Sequence, residues 1–211
     1  MNDDQYDADY FLRGKQTGKS LYENYRWLPE LTIPMAQVIA DHCCITRDER
    51  VLDFGCARGY VVKAMRSLGY NAYGVDVSQW AVENADEETK PYLSWSTDSP
   101  LKAMGFDWII AKDVLEHIAY VSYQITKLMS AAGKGVFAVV PLAPFDRSRY
   151  VIEEYEADKT HIQRLTLGTW TEMFMRPGWR VEASYRLPGV KDNYYKPGWE
   201  CGNGFITARR I

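Results

Sequence analysis

Long apolar runs are missing from this sequence. No stretch of its 211 residues reaches the roughly 18 apolar residues of a membrane span. Excess positive charge is missing too. The formal net charge is -3, which excludes a general electrostatic grip on nucleic acid. Cysteine is scarce. Cys43, Cys44, Cys56 and Cys201 match no zinc-ligand spacing, and a disulfide framework belongs to much smaller secreted chains. Free thiols in a reducing cytoplasm are therefore expected, and no metal site is. The first residues, MNDDQYDADY, are acidic and polar, unlike a signal or transit peptide. There is no repeat, low-complexity tract or interdomain linker. One cytoplasmic domain over 1–211 is the expectation, since 46% of the residues are apolar and 25% charged. Histidine is rarest of the useful residues: His42, His117 and His161 are the full set.

What is present centres on Arg50 to Val62, RVLDFGCARGYVV. Arg50 to Asp53 read as a buried strand. Phe54-Gly55-Cys56-Ala57-Arg58-Gly59 is a tight turn. Val61, Val62, Met65 and Leu68 then fall at helical spacing. A strand, a glycine turn and a helix bring backbone N–H groups close to a ligand, with a helix N-terminus behind them. A second strand, Asn71 to Val77, carries Asp76 near its end. An acid about 20 residues beyond such a turn grips a ribose diol. A dinucleotide turn wants G-x-G-x-x-G, and Gly55 and Gly59 stand in another register.

The turn resembles the first motif of class I S-adenosylmethionine (SAM)-dependent methyltransferases, DxGCGxG, here Asp53 to Gly59 with Ala57 in place of the central glycine. A second match lies further on. Phe106-Asp107-Trp108-Ile109-Ile110-Ala111 reads as a fourth strand and runs into Lys112-Asp113-Val114-Leu115-Glu116-His117-Ile118, similar to the family's FDxIIxxDVLEHI stretch. The resemblance covers about Arg50 to Ile211. It implies SAM as cofactor and a Rossmann-like α/β fold: a seven-stranded, mostly parallel sheet with an antiparallel last strand and helices on both faces. It implies a cofactor site from Asp53, Gly55, Cys56, Gly59, Asp76 and Val77, with backbone at Ala111 and Lys112 along the methionine end. It also implies that Asp98, after a short third strand at Tyr92 to Ser96, meets the adenine amino group.

The rest of the chain fits around these units. Residues 1–31 are rich in aromatics and read as an arm or lid. In it Tyr10 is a candidate to stack on the cofactor and Arg13 to hold its carboxylate. Thr32 to Cys44 is expected as a helix. Ser78 is placed to cap another, running to about Asp86. A helix from about Ile118 to Ala132 leads to a fifth strand, Gly135 to Val140. Residues 142–167 are irregular, and long irregular stretches in compact domains are usually functional. Thr169 and Glu172 have capping-box spacing. Two final strands, Trp179 to Leu187 and Gly204 to Ile211, close the sheet.

Methyl transfer from a sulfonium needs alignment first and a base only for a hydroxyl or protonated amine. The candidates are His161, then His117, then Asp113. No Asn/Asp-Pro-Pro-aromatic tetrad follows the fourth strand, and no Pro-Cys nucleophile appears. The expected acceptor is therefore a small molecule, sugar-like or of natural-product type, methylated on oxygen or nitrogen, with no nucleic-acid or membrane partner. Two other readings stand beside this one: a non-catalytic SAM-binding or interaction module, and an NAD-dependent oxidoreductase on a similar fold.

Overall fold

The computed structural model describes residues 5–96, 105–194 and 202–211. Fourteen elements matter here. In chain order they are α1 (Ala8–Leu12), α2 (Gly14–Thr17), α3 (Pro29–Cys43), β1 (Arg50–Phe54), α4 (Tyr60–Ser67), β2 (Asn71–Asp76) and α5 (Gln79–Glu83), then β3 (Leu93–Trp95), β4 (Trp108–Lys112), α6 (Val121–Ala131), β5 (Gly135–Pro141), α7 (Leu167–Phe174), β6 (Trp179–Ser184) and β7 (Asn203–Arg210). The sheet has seven strands in the order β3-β2-β1-β4-β5-β7-β6. β1 to β5 pair in parallel, and β7 runs antiparallel to both β5 and β6.

Burial explains the order. Every residue of β5 is buried, and so are four of the five in β4. Strands covered on both faces read as continuous apolar runs, and these two occupy the middle. β3 and β6 carry only exposed and half-buried residues and lie at the edges. One face of the sheet packs on α6 and α7 through Leu128, Trp170 and Phe174; the other packs on α3 and α4 through Ile39, Val62 and Met65. Each face buries large apolar side chains at about 1.5–3 kcal/mol apiece.

Three local expectations are corrected. α3 begins at Pro29, not Thr32. Proline suits the first helical turn because its missing N–H has no partner there, and Pro34 is carried inside the helix rather than ending it. The capping box at Thr169 does not form. Thr166 caps α7 instead, its hydroxyl accepting from the Thr169 N–H at 3.1 Å. The helix starts one turn early because Leu167 is drawn into the core. The final strands end earlier than expected, at Ser184 and Arg210.

The arm packs against the edge of the domain. Asp7 caps α1 by accepting from the Tyr10 N–H at 3.0 Å. Tyr6, Tyr10 and Phe11 are buried with Ala81 of α5. Two hydrogen bonds fasten the arm to the sheet edge: Ser78 Oγ donates to the Tyr6 carbonyl at 2.6 Å, and Arg58 Nη1 donates to the Tyr25 carbonyl at 3.1 Å.

Candidate active site

The carboxyl ends of β1, β2 and β4 open into one cavity of about 610 Å³, counting the part open to solvent. This is where open α/β sheets bind ligands. Its floor is the β1 turn. Gly55 and Gly59 hold left-handed backbone at φ +79° and +74°, and Ala57 holds it at +49°. The N–H groups of Gly55 and Cys56 both donate to the Val75 carbonyl, at 2.8 and 3.1 Å, which fixes the turn against β2. Gly55, Ala57, Asp76 and Val77 line the cavity.

Asp76 is held by backbone. Oδ2 accepts from the Ala57 N–H and Oδ1 from the Ser78 N–H, both at 2.7 Å. A carboxylate offers about four lone-pair sites, so a group held by backbone in this way is of a kind that can also accept from a diol. Asp53 is buried beneath the turn and is not part of the cavity wall. Burial pushes its carboxyl up to about 7; the Lys112 ammonium opposes this and Asp76 adds to it. Cys56 is also inside. It packs where a Cβ on Gly74 would fall, 2.7 Å from Sγ, and burial pushes its thiol up. Its side chain packs between β1 and β2.

The opposite wall comes from the β4 end. Asp113 takes left-handed backbone at φ +54° and lines the cavity with Val114 and His117. Burial alone would raise the Asp113 carboxyl. The ammoniums of Lys112 and Lys191, each 2.5 Å away, outweigh it and hold the group well below the usual carboxylate range. Lys112 is therefore spent on Asp113 and does not line the cavity. Glu116 and His117 sit in a short 3₁₀ turn, Leu115–His117. Burial, then the charge on Asp113, pushes Glu116 up. Burial and the neighbouring His161 ring push His117 down.

The roof is aromatic: Tyr6, Tyr10, Phe11 and Tyr22. Tyr10 reaches across it and donates its hydroxyl to Asp158 Oδ2 at 2.8 Å, latching the arm to the 142–167 insert. Arg13 is not brought to the cavity. Its guanidinium pairs with Asp9 on the exposed side of the arm, as helical i, i+4 spacing favours. His161 lies behind His117, ring centroids 4.7 Å apart, and does not reach the cavity wall. Burial pushes it down as well. His42 is far away, its Nε2 2.9 Å from the Thr207 hydroxyl on β7. Asp98 lies outside the described residues.

Several residues of the site went unselected in the sequence. Ala57, Ser96 and Val114 line the cavity, and Lys191 neutralises Asp113. Asp158 and Thr160 lie in the irregular insert, whose length was the available signal.

The comparisons agree with this geometry. A family model described as a methyltransferase domain matches residues 31–184. The chain belongs to the class I SAM-dependent methyltransferases. This methyltransferase uses S-adenosylmethionine as its cofactor. A methyltransferase from Haloferax volcanii, solved in complex with the Trm112 methyltransferase activator, is 16% identical, with a TM-score of 0.68 over 99% of this chain and 96% of its own. A SAM-dependent methyltransferase from Archaeoglobus fulgidus is 17% identical, with a TM-score of 0.63 over 87% and 95%. The plantazolicin methyltransferase BamL, bound to a triazolic desmethylPZN analogue and SAH, is 13% identical, with a TM-score of 0.59 over 86% and 82%. At these identities the likeness is one of fold. Among curated proteins there is no match. Among the described residues, no helix is long and apolar enough to cross a membrane.

Proposed function

We propose that the protein methylates an oxygen or nitrogen atom of a small molecule. The roof is the observation that carries this reading. Tyr6, Tyr10 and Phe11 are 8%, 4% and 3% exposed, and they close over the turn beside Asp76. A cavity covered this way suits a compact ligand better than a polymer. The net charge of -3 speaks in the same direction.

The donor set suits the cofactor. Asp76 would accept from the ribose hydroxyls. The backbone of Gly55 and Ala57 would lie against the ligand, since neither presents a bulky side chain. Val77 and the aromatic wall suit a flat adenine ring. SAM supplies a methyl group already activated by a sulfonium. The chain's part is then to hold the acceptor in line and exclude water, and alignment of this kind contributes several kcal/mol. Asp113 and Val114 would bound the acceptor end.

The test is calorimetric titration with SAM and SAH, followed by an SAH-release screen of small hydroxyl and amine compounds, oligonucleotides and peptides. Turnover on small compounds alone is expected. Turnover confined to oligonucleotides or peptides would overturn the acceptor class. Asp76→Ala removes a charged acceptor worth about 1.5–3 kcal/mol and should weaken SAM roughly 10–100-fold. Unchanged affinity would remove Asp76 from the ribose site.

A further inference from the structure

Behind the cavity wall, Glu116, His117 and His161 each bring one ligand atom within 4.8 Å of the other two. The hydrogen bonds around them fix which ring nitrogens are bare. The Thr160 hydroxyl gives its proton to Asp158 Oδ1 at 2.6 Å. It has only lone pairs left for His117 Nδ1 at 2.7 Å, so Nδ1 carries the proton and donates. The Tyr155 carbonyl accepts from His161 Nδ1 at 3.0 Å in the same way. Each ring therefore keeps Nε2 as an unprotonated ligand atom. A carbonyl or hydroxyl orienting the far nitrogen is how metal-binding histidines are held.

The carboxylate completes the pattern. Glu116 Oε2 is buried with no hydrogen-bond partner, and the side chain is 2% exposed. His161 Nε2 stands 3.9 Å from Glu116 Oε1 and 3.9 Å from Asp158 Oδ2. That is too far for a hydrogen bond. Among the described residues, the His161 nitrogen and these carboxylate oxygens thus face one another across a gap with no hydrogen-bond donor between them. Buried acceptors without a donor are costly, and a cation removes the cost.

We propose that Glu116, His117 and His161 form a binding site for a divalent transition metal. Two imidazoles and one carboxylate suit zinc, manganese or iron, and three protein ligands leave coordination positions open. Asp113 is not a ligand, because Lys112 and Lys191 occupy it. His117 lies on the cavity wall, so the open positions belong to the cavity side. There they would take an oxygen of the acceptor and lower the pKa of its hydroxyl. This last step rests on the methyl-transfer reading; the metal site does not. The site replaces a general-base role for His161 and His117.

The test uses the full chain, stripped with a chelator and titrated with cobalt(II) as a visible-absorbing probe, then with zinc and manganese. One equivalent of cobalt should bind, with a visible band that acetohydroxamate, a bidentate oxygen donor, perturbs. Glu116→Gln is nearly isosteric and should fold. It and His161→Ala should each weaken cobalt at least tenfold and abolish the rise in Tm that the metal gives the parent protein. Absence of stoichiometric binding, or binding undiminished in both folded variants, would overturn the site. A cobalt band indifferent to acetohydroxamate would overturn the open positions. SAM titration of the same samples keeps the two readings apart. Cobalt bound without SAM binding would defeat the function proposed above and leave the metal site standing.

Discussion

Replacing Gly55 with alanine strikes the turn at its tightest point. Gly55 sits at φ +79°, where an L-residue pays roughly 1–2 kcal/mol. An added Cβ would fall 2.4 Å from Val114 Cγ2 and 2.8 Å from Val114 Cβ. The second distance decides the outcome. A rotamer change can move Cγ2, but it cannot move the Cβ of a buried, β-branched residue. Overpacking adds typically 1–3 kcal/mol. Gly55→Ala should therefore destabilise by about 2–5 kcal/mol, the two costs together. Gly59 is the control. It has similar backbone at φ +74°, but its added Cβ meets side-chain ends rather than a Cβ: Leu93 Cδ1 and Cδ2, both at 2.8 Å, and Thr89 Cγ2 at 3.0 Å. Gly59→Ala should cost the backbone share, about 1–2 kcal/mol, and less overpacking than Gly55→Ala, because Leu93 can move its end away. Ala57 runs the other way. It already holds φ +49°, so Ala57→Gly relieves that cost and adds about 0.5–1 kcal/mol of glycine entropy. A small net gain is expected, on the order of 0.5 kcal/mol. Urea unfolding read by far-UV circular dichroism measures all three, with equal m-values as the check on two-state comparison. Gly55→Ala no worse than Gly59→Ala would refute the argument, because Val114 would then be yielding.

Three further outcomes follow from buried charge and from the arm. Asp53 has its carboxyl raised from 3.8 to about 7, so the folded state holds its proton more tightly than the unfolded chain. Its contribution is fully present below about pH 4 and is lost as pH rises through 7. Asp53→Asn should therefore gain on the parent protein with rising pH, by at most about 4 kcal/mol at pH 8; parallel urea midpoints from pH 5 to pH 8 would contradict this. Lys191→Met leaves Asp113 half-buried with Lys112 as its remaining ammonium. It should cost about 2 kcal/mol in urea unfolding at pH 7, and an unchanged midpoint would mean that Lys112 alone suffices. Tyr10→Phe removes the hydroxyl bonded to Asp158. A loss of about 1.5–3 kcal/mol and faster proteolysis within the arm are expected; unchanged digestion would show that aromatic packing alone holds it.

The sheet was legible because its signals are local. Buried strands announce themselves as short apolar runs, and the glycine turn fixes where the first helix begins. The place of Asp76 on the cavity wall was legible for the same reason, since its distance from the turn is set by one βα unit. Arg13 was misdirected by composition. A cation among aromatics looks like a carboxylate clamp, but the α1 register puts it over Asp9. Lys112 was read for its backbone, while its side chain was claimed by the next residue. The cap of α7 failed because Thr166 and Thr169 are both competent, and core burial of Leu167 chose between them. Strand order cannot be read from periodicity and came with the family likeness.

What no local signal carries is the meeting of the 3₁₀ turn after β4 with the 142–167 insert. The N–H groups of Ile162 and Gln163 both donate to the Glu116 carbonyl, at 2.9 and 3.1 Å. Those two bonds bring His161 beside His117 across more than forty residues of chain. Asp158 then ties three parts together. It accepts from Tyr10 of the arm and from the Thr160 hydroxyl, and Thr160 in turn orients His117. The arm's closure over the cavity and the tautomer of the wall histidine therefore share one carboxylate. Losing the Tyr10 bond should loosen Asp158, free Thr160 to turn its proton toward His117, and disturb the ring at the cavity wall. Tyr10 of the arm and His117 of the cavity wall are thus joined by one chain of hydrogen bonds through Asp158 and Thr160.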